Sequence, residues 1–90
     1  MAAKPTPDQA ATLALKALGY LMNFEPQLNR FMELSGTAAA TIRDRADEPE
    51  FLCAILDFLL ADEELLVRFC EDASIDARAV HLARHVLAGP

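Results

Sequence analysis

Basic residues are scarce in this ninety-residue chain: eight lysines and arginines stand against fourteen aspartates and glutamates, for a net charge of −6 and a pI near 4.7. A protein that neutralises phosphates needs the opposite balance, so bulk electrostatics disfavour nucleic acid and anionic membrane surfaces as partners. Long hydrophobic runs are missing too. The greasiest stretch, residues 51–60, is interrupted by Asp57 and falls well short of the roughly 20 residues a spanning helix needs. The first eight residues hold no apolar segment of an export signal, so a cytoplasmic protein with no membrane contact is expected. Cysteine is limited to Cys53 and Cys70 without C-x-x-C spacing, which points to free thiols in a reducing compartment. No Gly-rich phosphate loop occurs, and no segment alternates with the period of two that marks a strand.

What is present is apolar and helical. Hydrophobic residues make up 53%, but many are alanine, so the leucines, five phenylalanines, three methionines and Ile42, Ile55 and Ile75 must supply most of the burial. That suffices for one domain over residues 1–90, with a thin core.

Helix ends are written locally. Thr6-Pro7-Asp8-Gln9 combines a capping residue, a proline suited to the first turn and a glutamine that closes a capping box, predicting a first helix from Pro7 to about Asn23. Glu25-Pro26 starts a second helix, faced by Leu28, Phe31, Met32 and Leu34, and Gly36 stops it. Thr37 is expected to cap a short third helix to about Arg45, anchored by Ile42. Glu48-Pro49 opens a fourth that runs to Leu60. Asp62 caps a fifth with Glu63 and Glu64 in its first turn, and Asp76 caps a sixth, with Ile75 placed to staple against Val80. The fold class is all-α.

The chain also says nearly the same thing twice. "GYLMNFEPQLNRFMELSG" and "DFLLADEELLVRFCEDAS" lie thirty-eight residues apart, and the offset aligns Leu18 with Leu56, Glu25 with Glu63, Arg30 with Arg68 and Phe31 with Phe69 without a gap. Two tandem pseudo-repeated three-helix units, residues 7–45 and 46–88, are expected to form one compact six-helix domain. In the first helix the only non-apolar stripe is Thr12, Lys16, Gly19 and Asn23, matched by Glu50, Ala54, Asp57 and Ala61 in the fourth. A helix with so narrow a wet edge must be covered on most sides, so these two helices belong at the centre, with the others packed over them.

Chemistry has few candidates. His81 and His85 have the i, i+4 spacing of a metal pair, but two ligands do not make a site and no glutamate follows His81 as in a zinc-protease motif, so they read as solvated. Asp57 lies on a wet stripe and reads as exposed rather than as a buried acid. Arg30 and Arg68, in equivalent slots, could clamp an anion, but read better as partners of Glu33, or of Glu64 and Glu71, along their own helices. No nucleophile has a partnered base and no calcium-loop spacing occurs, so neither catalysis nor a cofactor or metal is expected. The Ser35-Gly36 corner, with Ile42 six residues after Gly36, resembles a helix-turn-helix; the second copy keeps this with Ser74 and Val80, and the last helix carries Arg78, His81, Arg84 and His85. Yet Met32 and Cys70 occupy positions where that motif favours alanine, and a packing corner explains the pattern better.

The segments "YLMNFEPQLNRFMELSGT" and "FLLADEELLVRFCEDASID" resemble a family of short uncharacterised alphaproteobacterial proteins defined only as a domain of unknown function. The resemblance implies a bacterial cytoplasmic protein, points toward signalling, and brings no catalytic residues. Eleven of the fourteen acids fall between positions 44 and 76. The expected function is therefore a non-enzymatic protein-interaction or adaptor module with a partner of unknown identity, docking on the side of Asp57, Asp62, Glu63 and Glu64. The alternatives are a bundle that holds a small apolar ligand or metal and, least favoured, a DNA-binding last helix. Self-association stays open, since an isologous dimer would cover any apolar patch the thin core leaves.

Overall fold

The computed structural model describes residues 4–89; residues 1–3, which belong to the stretch read above for an export signal, residue 90 and the side chain of Ala39 lie outside the description. Prolines and carboxylates set most helix starts. Thr6 Oγ1 accepts the Gln9 N–H at 3.1 Å while the Thr6 N–H donates to Gln9 Oε1 at 2.9 Å, a reciprocal box that opens α1 (Pro7–Met22). Pro26 and Pro49 stand in the first turns of α2 (Glu25–Ser35) and α4 (Pro49–Leu60), where a missing N–H costs no helical bond. The Leu65 N–H donates to Asp62 at 3.2 Å and the Arg78 N–H to Asp76 at 2.8 Å, capping α5 (Glu63–Ala73) and α6 (Ala77–Leu87). With the short α3 (Ala39–Arg45), the described residues form six helices and no strand, the all-α class expected.

The two corners share one geometry. Gly36 (φ 69°) and Ser74 (φ 57°) are left-handed, and the next residues, Thr37 and Ile75, donate N–H groups back to the Met32 and Cys70 carbonyls at 3.2 and 2.9 Å. This is the Schellman closure of a helix. It corrects the expectation for Thr37, which does not cap α3. The cap position is Ala38, with no side-chain bond, and Thr37, committed to closing α2, is buried. Its Oγ1 instead accepts from Arg45 Nη1 at 2.8 Å, so the hydroxyl ties the end of α3 to its start.

The centre is α1 against α4, with Leu18 and Leu56 both buried, and α6 lies along both of them. Phe31 reaches into this core from α2, with its ring edge-on to Phe51 at 5.7 Å and to Phe58 at 5.5 Å. Aromatic pairs in this arrangement add about 0.5–1.5 kcal/mol beyond the area they bury. Tyr20 similarly meets Phe69 of α5, centroid to centroid at 5.5 Å.

Helix ends recur at the thirty-eight-residue offset: α1 and α4 end at Met22 and Leu60, α2 and α5 start at Glu25 and Glu63, and the left-handed residues are 36 and 74. Packing does not recur in the same way. Whereas α6 lies over the central pair, α3 is shorter and makes only sparse contacts with the other helices. Two expectations about faces also change. Leu34 is 71% exposed instead of lying with Phe31, because at about 100° per residue it falls on the far side of Phe31 from Met32 and Ser35. The wet stripe of α1, which does include Thr12, Lys16, Gly19 and Asn23, widens to take in Leu15 and the 56%-exposed Met22.

Candidate interaction surface

The acid-rich start of α5 sits across from the junction between α1 and α2, and there the chain gathers its most varied surface chemistry. Asp62, fixed as the α5 cap through one oxygen, has its other oxygen 3.7 Å from Arg30 Nη1 of α2. Arg30 also stands over the Phe58 ring at 5.8 Å, so an aromatic of α4 and a carboxylate at the α5 start hold one guanidinium. Glu64 accepts from Arg68 Nη2 at 2.7 Å, one turn along the same helix. Glu63 is exposed.

Two concavities result. A shallow groove is lined by Arg30, Glu63, Val67, Arg68 and Glu71 together with Asp62 and Glu64. Beside it, a pocket of about 150 Å³ is lined by Tyr20, Phe24 and Gln27 from one side and Asp62, Glu64, Leu65 and Arg68 from the other. Phe24, in the link between α1 and α2, is 44% exposed, and the Tyr20 and Phe24 rings meet at 4.9 Å. Gln27 Oε1 is buried with no donor, and is the one such side-chain oxygen or nitrogen among the described residues. Leaving an acceptor of this kind unmet costs about 1–3 kcal/mol.

Three of the four acids expected to form a docking face, Asp62, Glu63 and Glu64, therefore line one groove. Asp57 belongs to a different contact. Its carboxylate accepts from Arg84 Nε at 2.8 Å and from Nη2 at 3.4 Å, bridging α4 to α6. That hydrogen bond, with the attraction between the two charges, pushes the Arg84 guanidinium further above its already high range. Arg30 and Arg68, considered as an anion clamp, do share the groove, but each is already engaged by a carboxylate.

The remaining candidates are dispersed. His81 and His85 are exposed on α6, and no cluster of three or more His, Cys, Asp or Glu side chains that could hold a metal occurs among the described residues. Arg78 of the same helix is exposed, while Arg84 is the partner of Asp57. Cys70 is buried and Cys53 half-buried, both as free thiols. Burial pushes both thiols up from their ordinary range; at Cys53 the Arg84 charge opposes this and Asp57 reinforces it, and at Cys70 Asp76 adds to it. A second pocket, of about 250 Å³, lies between the starts of α1 and α6, with Leu13, Ala79 and Leu82 in its lining. Among the described residues no helix is long and apolar enough to cross a membrane.

Sequence reasoning did not find the Tyr20, Phe24 and Gln27 wall. One signal was present: at the thirty-eight-residue offset Phe24 falls on Asp62, an apolar residue against a polar cap, so the two halves differ where they face each other.

Fold and surface define a small all-α domain whose richest surface chemistry is a groove of mixed charge beside an aromatic-walled pocket. Over residues 7–90 the chain matches, and belongs to, the family described as "Protein of unknown function (DUF3572)". No curated protein and no solved structure matches it.

Proposed function

We propose that this protein is a non-enzymatic interaction module, a cytoplasmic adaptor that docks a protein partner on the groove formed by the α5 start and α2. The observation that carries this reading is the convergence of Asp62, Glu63 and Glu64 with Arg30, Arg68 and the 46%-exposed Val67 on one shallow surface. A mixed-charge rim around an apolar patch suits a protein partner, since it sets register and on-rate while the apolar part supplies affinity. A role in bacterial signalling is the form that the sequence resemblance implies.

The test is affinity purification of the full chain from its native extract at low and moderate salt, followed by rebinding of the purified partner. The expected result is a reproducible partner whose binding falls with salt and is lost on the double charge reversal Glu63→Lys, Glu64→Lys. Recovery of no reproducible partner, or a partner indifferent to the reversal, overturns the reading.

A second reading rests on the pocket between α1 and α6. Its apolar lining by Pro5, Leu13, Ala79 and Leu82, edged by Gln9, Asp76 and Arg78, suits a small largely apolar group. Native mass spectrometry that shows only bare polypeptide, with no thermal shift on addition of fatty acids or zinc, removes it.

A further inference from the structure

The two helices that follow the left-handed corners are held very differently. α6 has eleven residues, a side-chain cap from Asp76, the fully buried Val80 and Ala83, and the bridge from Arg84 to Asp57. Its counterpart at the thirty-eight-residue offset, α3, has seven residues and no side-chain cap. Ile42 is the one buried side chain of α3 among the described residues, while Ala40, Thr41, Arg43 and Asp44 are exposed. A helix this short does not sustain itself in water: nucleation fixes several residues for one hydrogen bond, and helices below about 12–15 residues are marginal. Its helicity therefore depends on what pins it to the rest of the chain.

Arg45 is that pin. Its Nη1 donates to Thr37 Oγ1 at 2.8 Å, its Nε to Glu48 Oε1 at 3.3 Å, and its guanidinium stands over the Phe51 ring, 5.1 Å from the centroid. Each of these partners lies outside α3 and is fixed by other bonds. The Thr37 N–H closes α2 on the Met32 carbonyl, the Glu48 carbonyl accepts from the Leu52 N–H at the start of α4, and Phe51 is buried edge-on to Phe31. One side chain thus ties both ends of the segment 38–47 to the frame and lies against an aromatic of the core.

We propose that residues 38–47 form a strap over the Phe51 end of the core, held shut by Arg45, which opens as a unit while the other five helices stay packed. Opening withdraws Ile42 and the Arg45 guanidinium together and gives solvent access to the Phe51 ring. Local opening belongs to elements with few buried apolar contacts and solvent-facing backbone bonds, and α3 has both properties. α6 lacks this freedom because it lies along both α1 and α4.

The experiment is native-state amide hydrogen exchange of the full chain, followed by NMR in increasing urea below the unfolding transition. After correction for intrinsic rates, the amides of residues 42–48 are expected to exchange about a hundredfold or more faster than those of Leu56, Leu59 and Ala83, through one shared opening that depends little on urea. Arg45→Met keeps the stem but loses both hydrogen bonds. It should speed exchange across 42–48 by roughly tenfold or more and leave the α4 and α6 reporters unchanged. Thr37→Val removes the buried acceptor at nearly constant volume and should act on the same amides in the same direction. Arg68→Met removes a surface ion pair of α5 and, as the control, should change neither set.

Exchange of residues 42–48 at the rate of the core, or rates that differ residue by residue with no shared opening, overturns the proposal. So does an Arg45→Met effect that is absent or equal in every helix. If Arg45→Met folds poorly, the urea series of the parent and the Thr37→Val chain apply the same criteria.

Discussion

Replacing Ser74 with glycine should make this protein more stable, and the reciprocal change at Gly36 should make it less so. Both residues end a helix in the left-handed region, at φ 57° and 69°, and both are followed by the same closing bond. A residue with a Cβ is disfavoured there by roughly 1–2 kcal/mol, while glycine gives back about 0.4–1 kcal/mol through its greater freedom in the unfolded chain. Ser74 is exposed, its side chain makes no hydrogen bond, and only its backbone N–H is used, toward Cys70 and Glu71. The net gain for Ser74→Gly is then about 0.5–1 kcal/mol, which for a domain of this size moves the melting temperature up by roughly 2–8 °C. A Cβ built at Gly36 meets nothing within 4 Å, so Gly36→Ser carries the backbone penalty alone and should lower it by a similar amount. Thermal melts followed by circular dichroism, with the double exchange as a near-neutral control, measure this. A Ser74→Gly chain that melts no higher than the parent refutes the reasoning.

Other consequences follow from single positions. Gly19 lies exposed in the interior of α1 with open space around it, so Gly19→Ala should stabilise by about 1 kcal/mol in urea unfolding; destabilisation would mean that something covers this face. Phe31→Ala removes the ring between Phe51 and Phe58 and should cost about 3–5 kcal/mol, a large share of the 5–15 kcal/mol typical of a domain, read from the urea midpoint. Asp57→Ala severs the exposed bridge to Arg84 and should lower the melting temperature slightly, with the difference fading at about 1 M salt, where the Debye length is ~3 Å. Burial raises both thiols above their unfolded value, so their contribution to stability is fully present below about pH 8.5 and is lost as pH rises through the folded values. Urea midpoints should therefore fall in that alkaline range, and fall less in a chain with both cysteines changed to alanine; labelling of the native thiols near pH 8 should be slower than in the unfolded chain.

Short-range signals decided where the helices begin and end. The Thr6 box, Pro26 and Pro49 in first turns, the Asp62 and Asp76 caps and the left-handed Gly36 act within four residues of themselves, so they can be read before anything folds. The acidic balance and the gathering of Asp62, Glu63 and Glu64 at one helix start were legible for the same reason. Tertiary structure decided the rest, because the direction in which a side chain is useful depends on which helices meet. Thr37 is a capping residue by type, yet the closure of α2 turns it inward to Arg45. Leu34 is apolar by type, yet points away from the core that holds Phe31. Equal spacing of the third helices did not make them equal in packing, since only α6 found the groove along α1 and α4. The bridges from Asp57 to Arg84 and from Arg30 to Asp62 join residues twenty-seven and thirty-two positions apart, and the pocket lined by Tyr20, Phe24 and Gln27 exists only where the α1–α2 link meets the α5 start. Contacts at such separations are chosen by the packing of whole helices, and no local pattern encodes them.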